Sequence, residues 1–170
     1  MLIRKAEAYE NGRQLEIRQE WVPIERISKN LIAEVVDAED SHFYEHGGFS
    51  YDDMVKAIYI NRCMNRVVAG GSTISQQTAK NVFCLPDRTY TRKLLEAYFT
   101  TLIELFWGKE RILEVYLNVI ELGDGIFGVE AASDYYFRSS AANISKHNAK
   151  QLVYIIPCPR DYLPSDMYMY

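Results

Sequence analysis

Residues 91–107 constrain the fold most. Leu94, Leu95, Tyr98, Leu102, Leu105 and Phe106 recur at helical spacing, while Arg92, Glu96, Phe99, Ile103 and Trp107 cluster well away from that stripe on the same wheel. A helix that is apolar almost all round belongs inside a protein. The pattern therefore predicts a buried helix, with Glu96 a carboxylate on a core helix and Arg92 one turn before it. The apolar run from Leu94 to Trp107 is interrupted by Glu96 and Glu104, and a membrane span needs about 20 predominantly apolar residues. Met1-Leu2-Ile3-Arg4-Lys5 turns polar at once, unlike a secretory leader. The chain is expected not to cross a bilayer.

Other segments repeat the helical period. Ser28 is placed to cap a helix over 29–40, with Leu31, Ile32, Val35 and Val36 as its stripe. Ser50 and Asp53 form a capping-box pattern opening a helix to about Asn61, with Met54, Ala57 and Ile58 inward. Ser72 can cap a helix to about Val82, and Pro86-Asp87 ends that region. After Gly108, Ile112, Leu113, Tyr116, Leu117 and Ile120 mark another helix, and 129–137 and 146–156 read as two more. Residues 1–20 are weakly patterned; Leu15 and Ile17 alternate with charges and allow a short strand or an extended arm. With no repeat, low-complexity stretch or linker, the 170 residues predict one mainly α-helical domain with a real core.

Charge is unevenly spread. Residues 1–55 hold six Lys and Arg against twelve Asp and Glu, whereas 56–111 hold nine against four. The middle third is the face for an anionic partner, or simply a solvated helical surface. Cys63, Cys84 and Cys158 are far apart and in no CxxC pattern, which fits buried thiols and neither a disulfide framework nor a four-cysteine zinc site.

Three stretches carry candidate chemistry. Gly123-x-Gly125-x-x-Gly128 matches the dinucleotide fingerprint, but follows a predicted helix rather than a strand, so a turn or a close backbone approach explains it better. Glu39-Asp40 closes an apolar helix and is followed by His42-Phe43-Tyr44-Glu45-His46-Gly47-Gly48. Carboxylates and imidazoles this dense beside a core suggest a site. His42 and His46 with Glu45 match the H-x-x-E-H pattern of zinc peptidases, although Gly47-Gly48 argues against a mid-helix placement. Gly70-Gly71-Ser72-Thr73-Ile74-Ser75-Gln76-Gln77-Thr78-Ala79-Lys80-Asn81 sets a glycine loop against a helix start rich in hydroxyls and amides. Open N–H groups at such a start suit an anion or a polyhydroxylated ligand.

Taken together these residues resemble the peptidoglycan glycosyltransferases of family 51, which occur as monofunctional biosynthetic transglycosylases and as modules of bifunctional penicillin-binding proteins. Five motifs stand in order: Glu39-Asp40-x-x-Phe43-x-x-His46-x-Gly48; Gly70 to Asn81; Arg92-Lys93-x-x-Glu96, with Arg88 four residues earlier; Lys109-x-x-Ile112-Leu113-Glu114-x-Tyr116-Leu117-Asn118; and Gly123 to Phe137. The match covers about Trp21 to Pro159. Ser50 stands where an aspartate is common and Thr78 where an aliphatic residue is usual. Monofunctional members carry an N-terminal membrane anchor, which is not expected among these residues.

The resemblance implies a lysozyme-like α-helical lobe, a smaller membrane-facing jaw lobe and a cleft between them. It implies polymerisation of lipid II into β-1,4 glycan strands with inversion and release of undecaprenyl pyrophosphate. Glu39 is then the general base and Glu96 a second essential glutamate, which either orients Arg92 or Lys80 or holds a divalent ion against the pyrophosphate. Asp40, Phe43, His46, Ser72, Thr73, Gln76, Gln77, Lys80, Asn81, Arg88, Arg92 and Lys93 are implied to bind substrate, with His42 incidental. No cofactor or resident metal is required, though a divalent Mg or Mn ion against the pyrophosphate is compatible. The implied partners are lipid II, the growing glycan chain, the membrane surface and cell-wall synthases or division proteins, with no nucleic acid. The implied location is the extracytoplasmic, periplasmic side of the cell membrane. The other readings are the zinc peptidase and a glycan- or lipid-binding module without catalysis.

Overall fold

The computed structural model describes residues 1–66, 70–85 and 90–168. Its helices are α1 (Leu2–Glu10), α2 (Lys29–Glu39), α3 (Tyr51–Met64), α4 (Ile74–Phe83), α5 (Tyr90–Phe106), α6 (Lys109–Val119), α7 (Val129–Phe137) and α8 (Lys146–Ile155). Short strands β1 (Arg18–Gln19), β2 (Glu121–Gly123) and β3 (Ile126–Phe127) form a small sheet, and 3-10 turns lie at Ile24–Arg26 and Pro164–Tyr168. The protein is mainly α-helical, as its periodicity predicts. No helix among the described residues is long and apolar enough to cross a membrane. The chain divides into two compact units, residues 1–35 with 117–170 and residues 36–116, so the boundaries fall inside α2 and α6.

The first unit is built on the sheet order β1-β3-β2, with β1 parallel and β2 antiparallel to β3. Leu31, Val35, Leu117, Leu122, Val129 and Ile155 are almost wholly buried in it. Asn118 ties its entry loop: Nδ2 donates to Val22 O at 2.9 Å and Oδ1 accepts from Val22 N–H at 2.9 Å. The sequence left residues 1–20 as an arm or a strand, yet Leu2–Glu10 is helical. Charge rather than an apolar stripe anchors it: Arg4 reaches Glu7 at 2.6 Å, Glu121 at 2.9 Å and Asp124 at 2.6 Å. The glycines of 123–128 span the β2–β3 hairpin and not a strand-to-helix phosphate loop. Gly128 has φ +81°, and a Cβ there would lie 2.8 Å from Asn118 O.

In the second unit α4 packs along α5, and Phe83 stacks on Phe99 with ring centroids 4.7 Å apart. α5 is buried on one face only, where the sequence predicted burial almost all round, and Glu96 lies on that buried face as expected. Leu94, Leu95, Tyr98, Leu105 and Phe106 are exposed, whereas Glu96, Thr100 and Ile103 are buried. The inner polar groups are satisfied locally, because Lys93 Nζ donates to Glu96 Oε1 at 2.5 Å and Thr100 Oγ1 to Glu96 O at 2.7 Å. Satisfied polar groups are inexpensive to bury, and both faces of this helix carry apolar residues, so the stripe alone did not determine the inward side. Met54 and Ile58 of α3, expected inward, are likewise exposed beside a buried Ala57.

Candidate active site

The described site residues gather in the second unit where α2 ends. Ser28 opens α2, its Oγ accepting from Asn30 N–H at 3.3 Å. The helix closes at Glu39. Residues 41–48 are turn and bend, so His42 and His46 do not share a helix.

Asp40 turns inward. Its carboxylate accepts the Ile74 N–H at 2.9 Å and faces His46 Nε2 at 2.9 and 3.0 Å. His46 Nδ1 accepts the Gly48 N–H at 3.1 Å, which assigns the ring proton to Nε2 and makes that nitrogen the donor to Asp40. Both ring nitrogens are thus engaged, His42 is exposed, and among the described residues no group of three or more His, Cys, Asp or Glu could hold a metal. The zinc-peptidase alternative is not favoured. Phe43 is fully buried and Lys109 Nζ lies 4.6 Å from its ring centroid.

The start of α4 is closed by the protein itself. Thr73, not Ser72, is the N-cap: its hydroxyl accepts from Gln76 N–H at 3.1 Å, and Gln76 Oε1 accepts from Thr73 N–H at 3.0 Å. With Ile74 N–H bound to Asp40, three of the amides at this start, those of Thr73, Ile74 and Gln76, are engaged internally. Thr73 and Gln76 are buried in this box, while Ser72 and Asn81 are exposed. Buried Thr78, at the position usually aliphatic, returns its hydroxyl to Ile74 O at 2.8 Å.

Gln77, one step round the helix, faces the other way. Its Nε2 donates to Glu39 Oε2 at 2.7 Å, and its Oε1 accepts the Tyr116 O–H at 3.2 Å. Burial pushes the Glu39 carboxyl above its ordinary value; the Gln77 bond and Lys80 oppose this, and Asp40 adds to it. Fully buried Tyr116 is held well above the ordinary phenol value, first by burial and then by Glu39 and Asp40. Glu39 lines a pocket of about 180 Å³ with Asp37, Ser41, Asp53, Lys56 and Gly70.

The cations collect around Cys84. Burial and Glu96 raise its thiol, while Arg92, Lys80 and Lys93 pull it down. Lys80, Arg92, Lys93 and Glu96 thus all act on this one thiol, Lys93 and Glu96 in direct contact, and Arg88 lies outside the described residues. Two residues to which the sequence reading gave no role matter here. Glu104 Oε1 accepts from Ser75 Oγ at 2.5 Å and Lys109 Nζ at 2.6 Å, bracing α4 and α6 against α5. Tyr116 reads in the sequence as one member of an apolar stripe; the signal was its hydroxyl, since a buried phenol normally finds a partner.

A family model described as Transglycosylase matches residues 7–169. A biosynthetic peptidoglycan transglycosylase of Dechloromonas aromatica is 47% identical over 162 residues, covering 95% of this chain and 70% of its own length. Its counterpart in Bdellovibrio bacteriovorus is 49% identical over 162 residues, covering 95% and 64%. That of Caulobacter vibrioides is 51% identical over 159 residues, covering 94% and 66%. The chain thus spans 64% to 70% of the length of these relatives. These matches define the class as enzymes that transfer glycosyl groups. The chain belongs to the transglycosylase family.

Proposed function

We propose that this chain is a peptidoglycan glycosyltransferase that polymerises lipid II, with Glu39 as general base. The carrying observation is the state of Glu39: half-buried, raised in proton affinity and held through one oxygen by Gln77. A sugar hydroxyl is a poor nucleophile, and a carboxylate tuned toward neutral pH removes its proton efficiently. Gln77 occupies Oε2, so Oε1 is assigned to receive the proton. The freed GlcNAc 4-hydroxyl oxygen bonds to the anomeric carbon of the growing chain from the face opposite the leaving group. The anomeric C–O bond breaks, its electron pair departs with undecaprenyl pyrophosphate, and the centre inverts.

Pyrophosphate leaves readily once its charge is met by cations. Lys80, Arg92 and Lys93 are assigned to that charge, arginine through paired N–H contacts and lysine as a point charge. Glu96, bonded to Lys93, orients that cation. Exposed Tyr51, Val55 and Tyr59 of α3 and Leu94, Leu105 and Phe106 of α5 support contact with a membrane surface, which suits a lipid-linked substrate on its extracytoplasmic side.

The test is polymerisation of labelled lipid II. Glu39→Gln is expected to abolish turnover while substrate binding survives, and near-normal turnover would sink the assignment. Lys80→Ala is expected to weaken binding of pyrophosphate-lipid analogues; unchanged affinity removes Lys80 from the leaving-group site.

A further inference from the structure

We propose that Tyr116 is a positioning residue for Glu39, acting through the side-chain amide of Gln77. The inference rests on Glu39 being the base. Tyr116 O–H donates to Gln77 Oε1 at 3.2 Å, and Gln77 Nε2 donates to Glu39 Oε2 at 2.7 Å. The three side chains come from α6, α4 and α2 and form one directional chain of donors ending on the carboxylate.

A carboxamide has two faces, and its rotation exchanges donor for acceptor. Reversed, Gln77 would set Oε1 against the ionised carboxylate. The tyrosine hydroxyl blocks this by donating to Oε1, and that donation polarises the amide so that its N–H is a stronger donor to Glu39. A phenylalanine of the same shape makes no such donation.

The other charges around Glu39 would be untouched by removing that hydroxyl. Asp40 is adjacent in the chain with its carboxylate held by His46 and Ile74. Lys80 acts from α4, and Asp37, Asp53 and Lys56 line the pocket from α2 and α3. Glu39 also acts on Tyr116 directly, so a change in Glu39 titration on altering Tyr116 reports the Gln77 route where it vanishes in a Gln77→Leu background.

Three variants of the chain test this: Tyr116→Phe, Gln77→Leu and the double variant. Each is followed by lipid II polymerisation across pH and by 13C NMR titration of the Glu39 carboxyl, assigned by its loss in Glu39→Gln. We expect Tyr116→Phe to lower kcat by about tenfold with KM unchanged, the scale of one weakened charge-assisted hydrogen bond. The acid limb and the NMR midpoint move to higher pH, and the double variant is no slower than Gln77→Leu alone. Replacing Tyr116 with 3-fluorotyrosine keeps the shape and strengthens the donor, so its midpoint moves to lower pH; this arm holds even if Tyr116→Phe folds poorly. An unmoved midpoint in the fluorinated protein, or losses that multiply in the double variant, reduces Tyr116 to packing and overturns the proposal. If Glu39→Gln is inactive and the midpoint is unmoved, only the Tyr116 inference fails. If Glu39→Gln turns over normally, the base assignment fails, and Tyr116 loses its role with it.

Discussion

Replacing Asp40 gives the sharpest test of how the site is held. Its side chain is 1% exposed and accepts two buried donors, Ile74 N–H and His46 Nε2–H. Asp40→Ala leaves both without an acceptor, at about 1–3 kcal/mol each, so about 4 kcal/mol together. Asp40→Asn is subtler. Its oxygen, placed where Oδ2 stands, can still accept from Ile74 N–H and His46 Nε2–H, but its N–H₂ then takes the place of Oδ1, 2.9 Å from His46 Nε2. His46 cannot relieve the clash by moving its proton, because Nδ1 would then oppose the Gly48 N–H. That donor–donor contact weakens the His46 bond, at a cost of about 2 kcal/mol.

For a chain of this length about 1 kcal/mol corresponds to roughly 2–4 °C in Tm. Calorimetry at pH 7 should therefore find Asp40→Asn about 4–8 °C and Asp40→Ala about 8–16 °C below the native chain. In a His46→Ala background the cost of Asp40→Asn should shrink, since the clashing donor is gone. An Asp40→Asn protein melting with the native chain, or one equally destabilised with and without His46, would refute the assigned tautomer and the bond network drawn from it.

Three further outcomes follow from the geometry. Gly48 has φ +95°, and a Cβ there would lie 2.9 Å from both Glu104 Cγ and Thr100 Cγ2, whereas Gly47 has nothing within 4 Å. Gly48→Ala should cost about 1–3 kcal/mol in urea unfolding and Gly47→Ala about 0.5 kcal/mol or less, and equal costs would contradict the strained bend. Asn118→Ala strands both polar groups of the Val22 peptide and should cost about 2–4 kcal/mol, with a loss under about 0.5 kcal/mol counting against that tie. Glu39 has a raised proton affinity in the fold, so between the ordinary glutamate range and that raised value the native state binds more protons than the unfolded chain, and stability falls as pH rises. Glu39→Gln lacks this loss, so its Tm relative to the native chain should rise from pH 4 to pH 8; a difference independent of pH would show that Glu39 is not raised.

Much of this was legible where one physical signal dominated. The apolar period places α6, α7 and α8, and Ser28 and Ser50 cap α2 and α3 as their spacing predicts. Other features were hidden because two signals competed. α5 is readable as a helix, but both of its faces carry apolar residues, and the side that faces in is the one bearing Glu96, Thr100 and Glu104 with their own partners. α1 has little apolar pattern and depends on Arg4 meeting Glu121 and Asp124, more than a hundred residues away in sequence. In the site, the Glu39-Asp40 pair and the Gln76-Gln77 pair are plain in the sequence, but which member does what depends on helical phase. Successive residues on a helix point about 100° apart, so Gln76 turns into the cap and Gln77 toward Glu39.

The same phase relation sets the position of Glu39. Asp40 binds the first amide of α4, and Glu39 receives the side chain from the next turn of the same helix. The two neighbouring carboxylates therefore share one rigid reference, with Asp40 fixing where α4 begins and Gln77 carrying that position to Glu39. Thr73 reinforces the register from below, its hydroxyl donating to Gly48 O at 2.7 Å while accepting from Gln76 N–H. The same Gly48 whose N–H assigns the His46 tautomer thus also anchors the cap of α4. A charged residue on a bend would sample many directions; here the bend is closed on both sides by hydrogen bonds to the start of the helix that carries Gln77. The dense polar sequence around residues 39–48 is the means by which a single carboxylate is kept desolvated, aimed and reproducibly placed.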